Sequence, residues 1–334
     1  AADRPAASRD AADATDAAGA TDAAEATLSV TDGAGRTVTL DAPARRVVSM
    51  MPSVTEWVIA MGATDRLVAR TDYDDHPAVA GLPSVGGGLT PSVEWLAARE
   101  PDLVVAWPDA PSRTLVARLR ALGVPVYAAP SETVGEGLAT GRDLGTLLGR
   151  DSAAAAVIAE VEAGLDSVAA AVAGHGRPDV LFLIGIEPLM AAGPGTFVDQ
   201  LLERAGGRNA LAGMSVLWPQ LSLEEVVRRA PDVVIVGSAG QSDPLAALRG
   251  RPGWREVPAV REGRVHAVDP NLVNRPGPRM DEAARILARL IHGDVAGLPA
   301  AVDPFLDAGQ PDPDPARASN PVGPDTTPRT GAVR

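Results

Sequence analysis

Short apolar runs alternate with amphipathic segments along most of the chain. The runs RVVSM, DLVVA, DVLFLIG and DVVIVG are typical of strands buried on both faces. The segments between them, such as TLVARLRALG and TFVDQLLERAG, place apolar residues at helical spacing and end at glycine. This alternation of strands and helices predicts an α/β fold with mainly parallel sheets.

The alternation is interrupted once, between about residue 134 and residue 173, where the chain has no strand-like run and no proline. We predict two helices there, the second about 22 residues and therefore about 33 Å long. A further pattern, LSVTDGAGRTVTL, predicts a β-hairpin around its Asp-Gly-Ala-Gly turn. The chain is thus expected to form two α/β lobes joined by a long helix.

The two ends of the chain differ in composition from the rest. The first is mostly Ala, Asp and Thr, and the last is rich in Pro, Asp and Gly, so both have little to bury and are expected to be disordered. The predicted organisation is a disordered N-terminal tether at 1–26, an N-terminal α/β lobe at 27–133, a helical backbone linker at 134–175, a C-terminal α/β lobe at 176–294 and a disordered tail at 295–334.

One signal occurs twice. SVEWLAAREPDLVVAW begins at Ser92, and SLEEVVRRAPDVVIVG begins at Ser222 with Ser, Glu, Arg, Pro, Asp and Val in the same register. The recurring glutamates, Glu94 and Glu224, come just after the start of a predicted helix, where a carboxylate interacts favourably with the helix dipole. They are either capping residues or contacts for a partner, and this pattern alone leaves both interpretations open.

Composition excludes several functions. The net charge of −13 argues against nonspecific nucleic-acid binding, and the absence of cysteine excludes disulfides, thiolate metal sites and cysteine nucleophiles. No apolar run approaches the roughly 20 residues that span a bilayer. The chain begins without a methionine or an apolar signal segment, which is compatible with a mature exported protein and with one that is not exported.

The chain shows no catalytic constellation. Its four histidines are not at metal-ligand spacing, and it has no Gly-x-Ser-x-Gly elbow, Walker loop or dinucleotide-binding glycine motif. TDYDDHP groups three aspartates with His76, but consecutive acids in a loop are more often solvated than metal-bound. We therefore predict that the protein is not an enzyme and has no catalytic residues, no metal site and no cofactor.

Aromatic residues make up only 3% of the chain, yet several follow predicted strands or lie in loops. These are Tyr73, Trp107, Phe197 and Trp218. Ligands of open α/β sheets bind at the carboxyl ends of the strands. Any one of these rings could be a packing residue, but together they favour a cleft for a flat, largely apolar ligand.

These residues resemble a known class. VTDGAGRTVTL, RRVVSMMPSVTEWVIAMGATDRLVARTDYDDHP, the paired Ser-x-Glu helices and VLWPQLSLEEV are similar to substrate-binding proteins of bacterial ABC importers for cobalamin, iron-siderophores or haem. The likeness runs from about residue 28 to residue 293 and is greatest to the cobalamin-binding proteins, through Trp218–Glu224 and TDYDDHP. It implies two Rossmann-like lobes, one rigid connecting helix and a ligand cleft between the lobes.

The resemblance also implies roles for individual residues. On the lobe surfaces, Glu94 and Glu224 occupy the positions that pair with arginines of the membrane permease. The implied ligand contacts are Ser53, Tyr73, Trp107, Met190, Trp218, Asn271 and Arg275.

The chain departs from the cobalamin-binding pattern at four positions. Gly88, Ile184 and Met190 replace aromatic residues, and Asn271 replaces an acid, while Phe197 aligns with no known contact. The cleft would hold fewer rings, so its affinity could be lower or its ligand different.

The resemblance therefore predicts a receptor that captures a cobalamin-like corrinoid and delivers it to an ABC transporter permease. We expect an extracytoplasmic monomer with no nucleic-acid partner and no membrane span. The alternatives are an iron-siderophore or haem receptor, for which only Arg275 and Arg279 offer evident positive charge, a divalent-metal receptor with His76 as its imidazole, or a cytosolic sensor or enzyme.

Overall fold

A computed structural model describes residues 27–88, 91–108, 110–237 and 243–298, without the side chains of residues 110–112. The predicted tether at 1–26 and most of the predicted tail lie outside the described residues. The structure corrects the boundary of that tail, because residues 295–298 were assigned to it. Val295 and Leu298 are buried against the core, so the folded part extends past residue 294.

The N-terminal lobe combines a hairpin with a four-stranded parallel sheet. The hairpin pairs two antiparallel strands, β1 (Leu28–Thr31) and β2 (Thr37–Leu40). The sheet strands are β3 (Val47–Ser49), β4 (Leu67–Ala69), β5 (Leu103–Ala106) and β6 (Val126–Ala128), in the order β4–β3–β5–β6. Its helices are α1 (Pro52–Ala60), α2 (Val93–Ala97) and α3 (Ala110–Ala121), with 3₁₀ turns at Thr64–Arg66 and Pro77–Val79.

Two helices follow this lobe, as predicted. They are α4 (Val134–Leu147) and α5 (Asp151–Val172), and α5 has 22 residues. A capping box starts α4: the Thr133 side chain accepts from the Glu136 N–H, and the Glu136 carboxylate accepts from the Thr133 N–H. None of the described helices is both long and apolar enough to cross a membrane.

The C-terminal lobe repeats the α/β plan with one antiparallel edge. Its strands are β7 (Asp179–Ile186), β8 (Leu189–Ala191), β9 (Arg208–Asn209), β10 (Val233–Val236) and β11 (Val265–Ala267). The order is β11–β10–β7–β8, with β9 also pairing β7, and only β8 is antiparallel. Its helices are α6 (Phe197–Arg204), α7 (Leu223–Arg229), α8 (Pro244–Arg249), α9 (Pro258–Glu262), α10 (Pro270–Val273) and α11 (Met280–His292), with a 3₁₀ turn at Trp254–Glu256.

One hydrophobic core runs through both lobes. Trp57 of α1, Leu165 of α5 and Leu287 of α11 belong to a single cluster of buried residues. Helix α5 packs along α4 on one side and α11 on the other, and Gly164 brings it so close to Asp281 that a methyl group would not fit. The long helix is therefore packed between the two lobes and is not a free linker.

Candidate ligand-binding site

A cavity of about 390 Å³ lies between the lobes. The N-terminal lobe contributes residues that follow β5 and β6, and the C-terminal lobe contributes residues of β7, α6 and two loops. The lining residues are Trp107, Ser131, Glu132, Ile184, Phe197, Trp218, Asn274 and Pro276. Three of these eight side chains are aromatic in a chain with few rings, so the cavity has flat apolar walls.

Each tryptophan of the cavity is positioned by a strand. Trp107 directly follows β5, at the carboxyl end of a central parallel strand. Trp218 lies in a loop that runs beside β8, where the Gly193 N–H donates to the Leu217 carbonyl at 2.7 Å. The Trp218 and Phe197 rings are tilted against each other with centroids 6.4 Å apart. The two tryptophans thus come from opposite lobes to one cavity.

Glu132 bridges the two sides of the cavity. The Trp218 indole N–H donates to Glu132 Oε2 at 3.1 Å. The backbone of Glu132 is fixed by the capping box of α4, since its N–H donates to Glu136 Oε2 at 2.7 Å. The Glu132 backbone is thus held at the start of α4, and its carboxylate lines the cavity and bonds Trp218.

Arg275 forms a buried network that joins the lobes. Its guanidinium donates to Glu56 Oε1 at 2.7 Å, to Asp75 Oδ1 at 2.9 Å and to the Tyr73 carbonyl at 2.7 Å, all in the N-terminal lobe. The fourth bond goes to Asn271 Oδ1 in its own lobe, at 2.8 Å. Both of its Nη atoms are therefore engaged within the protein.

Burial and charge oppose each other in this network. Burial raises the pKa of Glu56 to about 7, although Arg275 and Arg279 act to lower it. Burial works against the charge of Arg275, but Glu56 and Asp75 outweigh it and keep the pKa of Arg275 above its ordinary value. A buried arginine is costly without partners, and Glu56 and Asp75 are those partners.

The structure brings two of the seven predicted ligand residues into the cavity lining, Trp107 and Trp218. Three others meet at the network: Arg275 and Asn271 bond each other, and Tyr73 contributes its carbonyl while its side chain is 57% exposed. Ser53 is buried in the first turn of α1, beside Gly277, and Met190 lies on β8. The cavity is also lined by four residues that were not predicted from the sequence, Ser131, Glu132, Asn274 and Pro276.

The acids of TDYDDHP have partners within the protein. Asp74 accepts from the Thr71 N–H and hydroxyl, Asp72 accepts from the Ser84 hydroxyl, and Asp75 pairs with Arg275. The described part of the chain contains no cluster of three or more His, Asp or Glu arranged to hold a metal ion.

Glu94 and Glu224 both lie exposed at the starts of helices. The pKa of each carboxyl lies below its ordinary value, because its own backbone N–H and the preceding serine hydroxyl bond the charged form. Arg118 contacts Glu94 at 3.2 Å, whereas Glu224 forms no ion pair with any residue of the described chain.

A known family, described as periplasmic binding protein, matches residues 47–272 of the chain. The two lobes around a cleft, joined through one long helix, agree with this match. The chain belongs to the periplasmic binding protein family. A relative named cobalamin-binding protein, from Halobacterium salinarum, is 34% identical over 272 residues, which cover 78% of this chain and 73% of the relative.

Solved structures of periplasmic binding proteins have the same fold. The periplasmic vitamin B12 binding protein of Vibrio cholerae is 26% identical, with a TM-score of 0.65 over 75% of this chain and 97% of that one. A periplasmic heme binding protein from Pseudomonas aeruginosa is 28% identical, with a TM-score of 0.68 over 75% of this chain and 94% of that one. Solved structures with this fold thus include proteins named for vitamin B12 and for heme.

Proposed function

We propose that this protein is a receptor that captures a cobalamin-like corrinoid between its lobes and delivers it to an ABC transporter permease. The observation that carries the proposal is the pair Trp107 and Trp218, which come from opposite lobes and line one cavity with Phe197. Flat aromatic faces suit the apolar faces of a corrin ring. The 34% identical relative, named for cobalamin binding, supports the same ligand class.

Ligand contacts by Ser53, Tyr73, Met190, Asn271 and Arg275 stay predictions. For Arg275 and Asn271, contact with a ligand would require an exchange of partners, because they already bond each other and Arg275 also bonds Glu56. We therefore assign the walls of the site to the aromatic residues and the joining of the lobes to Arg275.

Isothermal titration with cyanocobalamin tests the ligand. We expect micromolar or tighter binding, weakened at least about tenfold in W107A and in W218A, because each removes one wall of stacking area. W107F and W218F keep a flat face and should retain most of the affinity. Absence of binding at micromolar receptor would contradict the corrinoid assignment.

A haem or iron-siderophore ligand is the second candidate, favoured by the 28% identity to the heme binding protein of Pseudomonas aeruginosa. The same titration with haem and with the ferric hydroxamate ferrioxamine compares the classes directly. If haem or ferrioxamine binds more tightly than cyanocobalamin, that ligand class replaces the corrinoid as the proposed ligand.

We propose further that Glu94 and Glu224 dock the receptor onto the permease. An exposed carboxylate can form a charge-assisted, bidentate contact with arginine, and two such contacts on opposite lobes fix orientation. The double variant E94A/E224A should lose uptake in cells while keeping ligand affinity. E160A/E162A removes the same charge from exposed positions on α5 and is the matched control. Normal uptake by E94A/E224A would overturn the docking role.

We propose that the protein works outside the cytoplasm as a monomer. Membership of a periplasmic binding protein family supports that location. Cell fractionation checks the location, and size-exclusion chromatography with light scattering checks the oligomeric state. Recovery in the cytoplasmic fraction, or a stable dimer, would contradict the respective proposal.

A further inference from the structure

The cavity between the lobes has one charged side chain among its described lining residues, and that charge is negative. Glu132 is the acid, and none of the other seven lining residues ionises. Arg275, whose sequence neighbours Asn274 and Pro276 line the cavity, is committed to Glu56 and Asp75. The lining therefore offers hydrogen-bond acceptance and negative charge, and it offers no cation to an anionic ligand.

The Glu132 carboxylate has one oxygen bonded and one open. Oε2 accepts from the Trp218 indole, while no described residue donates to Oε1. The backbone of Glu132 is anchored at the start of α4, where its N–H donates to Glu136 Oε2. An incoming N–H donor can bond Oε1, or replace the indole at Oε2 and release the Trp218 ring to stack on the ligand.

We propose that Glu132 is a specificity-determining residue of the cleft. It accepts hydrogen bonds from primary amides on the edge of a neutral macrocycle and disfavours macrocycles whose edge carries carboxylates. The inference rests on the proposed function, since it assumes that a large ring occupies this cavity. Bonds from an amide N–H to a carboxylate are charge-assisted, whereas a second carboxylate in the same place is repelled.

A second cavity, of about 220 Å³, offers the opposite charge nearby. It lies against Trp107 as well, and its lining includes Arg36 and Arg113, both exposed. An anionic group on a ligand could reach this cavity instead of the cleft. The experiment therefore needs a variant that separates the two sites.

The test uses two ligand pairs whose members differ in the charge at the edge of the ring. One pair is cyanocobalamin and its monocarboxylic acids, in which one side-chain amide is hydrolysed. The other is haem and haem dimethyl ester, in which the propionates are capped. Isothermal titration of the full chain at low salt gives the affinity ratio of the uncharged to the charged member for the wild type, E132Q, R36A/R113A and E162Q.

We expect the wild type to prefer the uncharged member of the pair it binds by at least about tenfold. E132Q, which keeps an acceptor for Trp218 but removes the charge, should reduce that ratio to about threefold or less. E162Q removes an exposed charge on α5 and should keep the wild-type ratio, as should R36A/R113A.

Three results would overturn the proposal. The first is a wild type that does not discriminate within either pair, and the second is an E132Q ratio equal to that of the wild type. The third is a ratio that changes in R36A/R113A and not in E132Q, which would assign selectivity to the second cavity. Failure of the wild type to bind any of the four ligands would contradict the proposed function as well, whereas binding with unchanged selectivity in E132Q contradicts only the role of Glu132.

Discussion

The segment that begins at Ser92 and the segment that begins at Ser222 build the same backbone unit in the two lobes. Each serine hydroxyl caps its helix by accepting an N–H three residues on, from Trp95 at 3.1 Å and from Glu225 at 3.2 Å. Each helix is followed by a central parallel strand, β5 in one lobe and β10 in the other. The shared residues are thus explained first by local structure.

The link between helix and strand is also the same. Glu100 and Ala230 adopt the left-handed conformation, with φ of 46° and 47°. The aspartates that follow tie the unit to the neighbouring strand. Asp102 accepts from the Arg45 and Arg46 N–H groups before β3, and Asp232 accepts from the Asp179 N–H of β7.

The units differ where side chains meet their surroundings. At equivalent positions of the helix, Trp95 stacks under Arg99, with the guanidinium carbon 3.0 Å from the ring centroid, whereas Glu225 pairs with Arg229 at 2.6 Å. An arginine one turn on is thus bound by a ring in one lobe and by a carboxylate in the other.

The larger difference comes at the end of the strand. Trp107 follows β5 and lines the cleft, but its counterpart is Gly237. A Cβ at residue 237 would lie 2.6 Å from the Phe182 ring, so any side chain there would require this buried ring to move. The repeated sequence therefore specifies the backbone of the fold. The cleft is asymmetric because Phe182 packs against Gly237 in one lobe, whereas Trp107 lines the cavity in the other.

The largest effect is expected at Gly237. G237A should lower the free energy of unfolding by about 2–3 kcal/mol, because the new methyl group overlaps the buried Phe182 ring. G174A is the control: no neighbour lies within 4 Å of its added Cβ, so stability should change little. Urea unfolding gives both values, and a neutral G237A would show that packing does not impose the asymmetry.

The next largest loss of stability is expected at the two aspartates that follow the helices, Asp102 and Asp232. D102A leaves two backbone N–H groups without their acceptor, and D232A leaves one. We expect losses in unfolding free energy of about 2 and about 1 kcal/mol. D65A, at an exposed aspartate whose nearest cation is 4.0 Å away, should change little in the same denaturation experiment. A larger loss for D232A than for D102A would contradict this account of the unit.

A smaller effect, of opposite sign, is expected at the left-handed residues. E100G and A230G should each raise the unfolding free energy by about 0.5–1 kcal/mol, because glycine adopts positive φ without the steric cost of a Cβ. A98G, at a right-handed position, should instead lower it by a similar amount. Thermal and urea unfolding of the three variants would distinguish these outcomes, and two gains of unequal size would mean that the links are not equivalent.

The smallest effect separates the two arginine contacts by their response to salt. E225Q should cost about 0.5 kcal/mol in dilute buffer and almost nothing in 1 M NaCl, since salt screens ion pairs. R99A should cost a similar amount at both salt concentrations, because a ring contact also contributes apolar packing. Parallel salt dependence of the two variants would contradict the assignment of different chemistry to Trp95 and Glu225.

The sequence predicted those parts of the fold that have a strong periodicity. Buried strands such as β5, β7 and β10, and the 22-residue α5, follow directly from apolar runs and helical spacing. Short elements were missed. Strands β8 and β9, of three and two residues, form because β7 offers an edge to pair with, and no local pattern indicates that.

Residues of the site were predictable where they directly follow a parallel strand, because ligands of α/β sheets bind at the carboxyl ends of the strands. Trp107 is found by looking after a strand, and the same rule applied to β6 would have found Ser131 and Glu132. Arg275 could not be placed this way. Its partner Glu56 is 219 residues away, and only the docking of the two lobes brings them together.

The buried carboxyl of Glu56 makes the contact between the lobes sensitive to acid. Its folded pKa of about 7 lies above the ordinary value of 4.5, so its contribution to stability is complete below pH 4.5. That contribution decreases as pH rises from 4.5 towards 7, by up to about 1.4 kcal/mol per pH unit. Above about pH 7 it changes little. Through this group the folded chain is therefore more stable against unfolding at pH 5 than at pH 7.5, which urea unfolding at the two pH values would measure.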